Sequence, residues 1–170
     1  MSGIALCLAR QPRGLPPSEG ILNFGKVDDH LFRGAQPDTQ GVKNLQKLGV
    51  KMIINLRMTN DVVKAEADQC RLSGILYTNI PLPGVGRPDS AQVAKILATI
   101  NASPDTVFIH CEHGCDRTGT LAACYRIEHD KWSGDQAMKE AIRYGISPLE
   151  RGMRQFILDF AKDPARVDKK

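Results

Sequence analysis

The sequence predicts one α/β domain whose central, mostly parallel sheet of about four or five strands carries helices on both faces. Three observations support this. Short apolar runs alternate with longer helical patterns between residues 21 and 163, and alternation of that kind is most economically folded as strand–helix–strand units. The run Lys51 to Leu56 is mostly apolar without polar alternation, as strands covered on both faces are. A chain of 170 residues encloses one sizeable core and leaves too little for two.

The elements follow in order. Residues 1–20 contain Arg10, Pro12, Arg13, Gly14, Pro16, Pro17 and Ser18 and read as a flexible leader. Asn23 to Arg33 reads as two short strands around the Asp28-Asp29 turn. Asp38 or Thr39 caps a helix through Leu48, with Leu45 and Leu48 on its inner face and Gly49 as its stop. After the strand at 51–56, Asp61 to Leu72 reads as a helix ended by Ser73-Gly74, and Ile75 to Ile80 as a strand. Pro81 to Pro88 is a Pro/Gly loop, and Asp89 or Ser90 caps a helix through Ile100. Thr106 to Ile109 is the last inner strand. Helices are then expected over Arg117–His129, Gly134–Tyr144 and Pro148–Lys162, with residues 164–170 as a tail. There are no internal repeats.

Composition narrows the function classes. Hydrophobic residues make up 42% and charged residues 25%, ordinary for a globular protein. A net charge of +4 without a long basic run gives nucleic-acid binding little support and is compatible with a small anionic ligand. Five cysteines without regular spacing, Cys7, Cys70, Cys111, Cys115 and Cys124, argue against a disulfide framework and for a reducing compartment. Cys124, in an apolar helical run, reads as a small buried thiol. Met1 to Ala9 lacks a positive n-region and is too short to span a membrane. The expectation is a cytoplasmic protein with no membrane span.

The chemistry concentrates in Val107-Phe108-Ile109-His110-Cys111-Glu112-His113-Gly114-Cys115-Asp116-Arg117-Thr118-Gly119. An apolar run ends in a His-Cys pair, and a tight loop leads to Arg117 at a helix start. Five residues between Cys111 and Arg117 let the loop curl with its N–H groups inward. With the helix N-terminus and the Arg117 fork they form a nest for a tetrahedral dianion. The same field favours the thiolate form of Cys111. A thiolate beneath a bound phosphate is placed to attack phosphorus. Gly114 and Gly119 are expected to serve the backbone, through a positive φ in the loop and close packing behind it. Cys111 and Cys115 beside His110 and His113 lack the second ligand pair of a zinc site, and attack by a thiolate on phosphorus requires no metal and implies no organic cofactor.

The pattern His-Cys-x5-Arg-Thr-Gly resembles the phosphate-binding loop of the protein tyrosine phosphatase superfamily. Asn23 to Pro37 is similar to the entry strands of the atypical dual-specificity phosphatases of plants and fungi and their bacterial relatives. Ile53 to Arg57 and Ile80 to Pro83 sit where that family places its second and third strands, so that the resemblance covers roughly residues 21 to 162. The resemblance implies a phosphatase domain at 21–163 working through a phosphocysteine, with phosphate or sulfate binding the loop residues Glu112 to Arg117. In these roles Cys111 is the nucleophile and Arg117 holds two phosphate oxygens. Thr118 steadies the leaving thiolate, or is only a first-turn helix residue. His110 orients Cys111 through backbone hydrogen bonding.

The general acid stays open between two residues. The superfamily commonly places it about thirty positions before the cysteine, where Leu82-Pro83-Gly84-Val85-Gly86-Arg87 holds no acid. Asp89 is the nearest carboxylate but is equally a helix cap. Asp116 is the second candidate, since some phosphoinositide-directed relatives carry a similar Asp-Arg-Thr; it serves equally well as a loop brace. Glu112 and Asp116 make an acidic or neutral rim that favours a singly phosphorylated substrate such as phosphotyrosine. Arg57, Arg87 and Lys64 are the cations that an inositol phosphate would use. Arg57, at a strand's carboxyl end, is the better supporting residue, or else forms an ion pair. Cys70 or Cys115 is a candidate to trap oxidised Cys111 as a disulfide. A non-catalytic module binding phosphorylated partners would normally have lost Cys111 or Arg117. A rhodanese loop usually lacks the Arg-Thr-Gly entry into its helix. A small-phosphatase arsenate reductase places its loop near the N-terminus.

Overall fold

The computed structural model describes residues 20–163; the leader, apart from Gly20, and the tail at 164–170 lie outside the described residues. Its strands are β1 (Gly25–Lys26), β2 (Leu31–Gly34), β3 (Met52–Asn55), β4 (Leu76–Asn79) and β5 (Val107–His110). They form one sheet in the order β1-β2-β5-β3-β4, antiparallel only between β1 and β2. In the register of the parallel strands, Gly34 lies beside His110, His110 beside Asn55 and Asn55 beside Asn79. Four strands therefore end at one edge, and the loops that follow them meet there.

Six helices are described: α1 (Thr39–Lys47), α2 (Asp61–Leu72), α3 (Ser90–Ala102), α4 (Asp116–His129), α5 (Gly134–Arg143) and α6 (Arg151–Lys162). Successive strand residues face opposite ways, and the core divides accordingly. Ile54 and Ile109 pack with Val93, Ile96, Leu121 and Phe156 of α3, α4 and α6. Ile53 and Phe108 pack with Val42, Leu45 and Cys70 of α1 and α2. A third cluster joins α4, α5 and α6 through Ala123, Ala137 and Ile157. The fold class is the expected one, and Cys124 is fully buried as expected.

Local signals account for most boundaries. Asp38, Asn60, Asp89 and Ser133 each cap a helix by accepting a backbone N–H. The last helix begins at Arg151 rather than Pro148. Leu48 does not lie on an inner face: α1 ends at Lys47, Gly49 turns the chain at φ +84°, and Leu48 is 48% exposed. The α1 inner face is Gly41, Val42 and Leu45. Of the helices described, none is long and apolar enough to cross a membrane.

Candidate active site

β5 delivers the chain to the site. All four of its residues are buried, which fixes the strand's exit, and the next five residues curl into the loop before α4 begins at Asp116. Gly114 turns the loop with φ +70°. A Cβ there would lie 2.5 Å from Gly34 C and 2.7 Å from Ala35 N, so this position admits only glycine. Gly119 is different: a Cβ would meet nothing closer than 3.8 Å, and the close packing expected behind it is absent.

The loop encloses a cavity of about 350 Å³ lined by Cys111, Glu112, His113, Asp116 and Arg117, with Gly84, Val85, Ser147, Leu149 and Glu150 opposite. Cys111 is 2% exposed and so forms the cavity's floor. Cys115 offers α4 no side-chain cap, which leaves the first-turn N–H groups to face an anion. Cys111, Arg117 and Asp116 thus line one cavity.

His110 is fully buried, and its Nδ1 lies 3.1 Å from the Cys111 carbonyl. Its Nε2 lies 3.0 Å from Glu66 Oε1, close but not aligned as a hydrogen bond. Glu66, on α2, also accepts from Asn55 Nδ2 at 2.6 Å and Tyr77 Oη at 3.0 Å. Glu66 is a supporting group the motif did not reveal. Its signal was present: Val63, Glu66 and Cys70 share one buried helical face, and a carboxylate on such a face needs partners.

Asp116 is half-buried, and its Oδ1 accepts the Ser147 N–H at 2.7 Å. Burial raises its carboxyl above the ordinary value. The Ser147 bond opposes this, Glu150 adds to it, and Arg117 and His113 oppose it. Glu150 Oε2 accepts the Gly86 N–H at 2.9 Å and ties the 81–88 loop to the start of α6. Ser147, Leu149 and Glu150 reach the cavity through tertiary folding, without a local signal.

Several other expected site residues do not line the cavity. Asp89 is exposed, caps α3 by accepting from Ala91 N at 2.7 Å, and does not line the cavity; the loop meets the cavity at Gly84 and Val85 instead. Arg57 also lies off the cavity, and its Nη1 donates to Gln36 Oε1 at 3.1 Å. Thr118 is fully buried, and its hydroxyl makes a long 3.5 Å contact with the Gly34 carbonyl. Arg87 pairs with Asp159 at 2.7 Å, and Lys64 with Asp61 at 3.4 Å. Cys70 is at the wrong end of the sheet to trap Cys111: its carbonyl binds Ile75 N just before β4 starts, whereas Cys111 follows the end of parallel β5. Burial first, and Glu66 second, push the Cys70 thiol up to about 12. Cys115, also buried, has its sulfur 3.5 Å from Asn23 Nδ2.

A five-stranded α/β sheet ending in a Cys-x5-Arg loop at a helix start defines the cysteine-dependent phosphatase class. The chain belongs to the family described as DSP-PTPase phosphatase fused to NAD+ kinase, whose profile matches residues 18–153. It is 30% identical over 139 residues to the dual specificity protein phosphatase TpbA of Pseudomonas aeruginosa strain UCBPP-PA14, a match covering 81% of this chain and 61% of that protein. The chain thus spans less than two thirds of that relative's length. Solved structures share the fold, two of them as follows. TpbA in complex with pTyr has a TM-score of 0.72 at 24% identity, covering 92% of this chain and 95% of that one. The catalytic core of the PP-IP phosphatase SIW14 from Saccharomyces cerevisiae, in complex with citrate, has a TM-score of 0.74 at 23% identity, covering 85% and 89%.

Proposed function

We propose that this chain hydrolyses phosphate monoesters through a phosphocysteine on Cys111 and prefers singly phosphorylated aryl esters such as phosphotyrosine. The observation that carries the chemistry is Cys111 on the floor of a cavity that Arg117 and the α4 N-terminus also line. The thiolate attacks phosphorus in line, and Arg117 and the loop N–H groups hold the equatorial oxygens as charge redistributes. The departing oxygen takes a proton from Asp116, which lines the cavity where Asp89 does not. Water then cleaves the sulfur–phosphorus bond, with Asp116 accepting its proton.

Two features support the substrate preference. Val85 and Leu149, each 73% exposed, flank the same cavity and offer apolar walls to a flat ring. The carboxylates of Glu112, Asp116 and Glu150 line it too, and they repel a polyphosphate. Arg87, Lys64 and Arg57 do not line the cavity; Arg87 pairs with Asp159, Lys64 with Asp61, and Arg57 donates to Gln36. The names of TpbA and SIW14 represent the two substrate classes, protein and inositol phosphate.

Phosphate release from para-nitrophenyl phosphate, a phosphotyrosine peptide and an inositol polyphosphate, with Cys111→Ser in parallel, tests the reading. Turnover of the first two that vanishes in the variant is expected. Preference for the inositol polyphosphate would overturn the substrate assignment. Undiminished turnover by Cys111→Ser would overturn the mechanism.

A further inference from the structure

We propose that Arg33 is a positioning residue for the phosphate loop, turning the Gly114 peptide and placing a second positive charge behind the loop that carries Cys111. The inference rests on Cys111 being the nucleophile. A loop can present its N–H groups to an anion only if its carbonyls turn the other way. The Gly114 carbonyl turns back onto two buried donors, Arg33 Nη2 and Asn23 Nδ2, each at 3.1 Å. Asn23 is 1% exposed, holds a left-handed φ of 54°, and donates to Tyr144 O at 2.9 Å as well. A non-glycine residue held in that region is kept there by its surroundings.

The guanidinium of Arg33 is also 1% exposed and lies 3.8 Å over the Tyr144 ring. Its neutralisation is incomplete. Glu140 comes only to 4.0 Å from Nη1, and that carboxylate is bonded to Arg126 at 3.0 and 3.2 Å. Among the described residues, Arg33 Nε and Nη1 have no hydrogen-bond partner. Burial pulls the guanidinium down to about 10, while Glu140, Tyr144 and Cys111 act to raise it and Arg126 to lower it. It is therefore charged at neutral pH, and its bond to the Gly114 carbonyl holds that charge against the back of the loop. A buried, under-paired cation is costly, and an anion on the far side of the loop offsets that cost.

The test uses Arg33→Met, Arg33→Lys and Arg33→Gln, with Leu45→Ala as a core truncation away from the loop. Two readouts are independent of turnover: the rate of Cys111 alkylation by iodoacetamide near pH 6, and the inorganic phosphate needed to protect Cys111 by half. In Arg33→Met both are expected to worsen by about tenfold or more. Arg33→Lys, which keeps the charge, should recover alkylation to within about threefold of the parent. Parent values in Arg33→Met, or losses matching those of Leu45→Ala, would overturn the inference. If Arg33→Met does not fold, the lysine and glutamine variants decide, and equal alkylation by both overturns it. A parent protein whose Cys111 resists alkylation and that releases no phosphate would instead refute the phosphatase reading beneath.

Discussion

The Oδ1 of Asp116 accepts the backbone N–H of Ser147 at 2.7 Å and thereby joins the first turn of α4 to the segment between α5 and α6. The bond fixes the carboxyl over the Cys111 cavity. Burial and Glu150 raise it against the Ser147 bond, Arg117 and His113, which suits the proton-donor role proposed for it.

Two opposite effects are expected of Asp116→Asn. Turnover of an aryl phosphate with a poor leaving group should fall by about tenfold or more, and the basic limb of the pH–rate profile should flatten. Stability should move the other way. A carboxyl raised in the native state binds its proton more tightly folded than unfolded, so it costs stability as pH rises from 3.8 through the raised native value. At neutral pH the asparagine variant should unfold at higher urea concentration. Lost turnover with the basic limb intact would make Asp116 a loop brace rather than an acid.

Gly114 and Gly119 look equivalent in the sequence but differ in space. Gly114→Ala meets the Gly34–Ala35 backbone at a positive φ and should cost about 3 kcal/mol of unfolding free energy and most activity. Gly119→Ala enters ordinary van der Waals contact inside α4 and should add about 0.5–1 kcal/mol through helix propensity. Thermal unfolding of both variants checks the contrast, and a destabilised Gly119→Ala would reveal crowding the structure does not contain.

The same contrast shows what a sequence exposes. Cys111 and Arg117 were legible because one loop holds them and its chemistry fixes their spacing, whereas Asp116 in the same loop was one of two candidate acids. The strands and caps were legible because periodicity and single side chains such as Asp38 and Asp89 determine them locally. Asp89 itself was ambiguous, since a capping carboxylate and an acid look alike until the cavity's position is known. Glu150, Leu149 and Val85 come to the site from segments whose approach depends on how α6 packs against the 81–88 loop. Arg33 had no local mark, because β2 reads as an ordinary strand until Gly114 is found behind it.

Glu66 supplies a prediction about the site's foundation. It is 3% exposed and holds Asn55, Tyr77 and the far side of His110. Burial acts to raise its carboxyl, but His110, Gln36 and Asn55 together outweigh this and hold it below the ordinary value. A depressed carboxyl contributes stability that is fully present above about 4.5 and is lost as pH falls through the lower native value. Glu66→Ala removes the acceptor that Asn55 and Tyr77 share and the carboxylate facing His110, and should lower the unfolding free energy at pH 7 by roughly 2–4 kcal/mol. It should also slow alkylation of Cys111, whose carbonyl His110 faces at 3.1 Å. Urea unfolding of parent and variant at neutral pH and well below pH 4.5 separates charge from volume. The gap between them should narrow on acidification if the ionised carboxylate carries the stabilisation, and a gap indifferent to pH would leave Glu66 as space-filling alone.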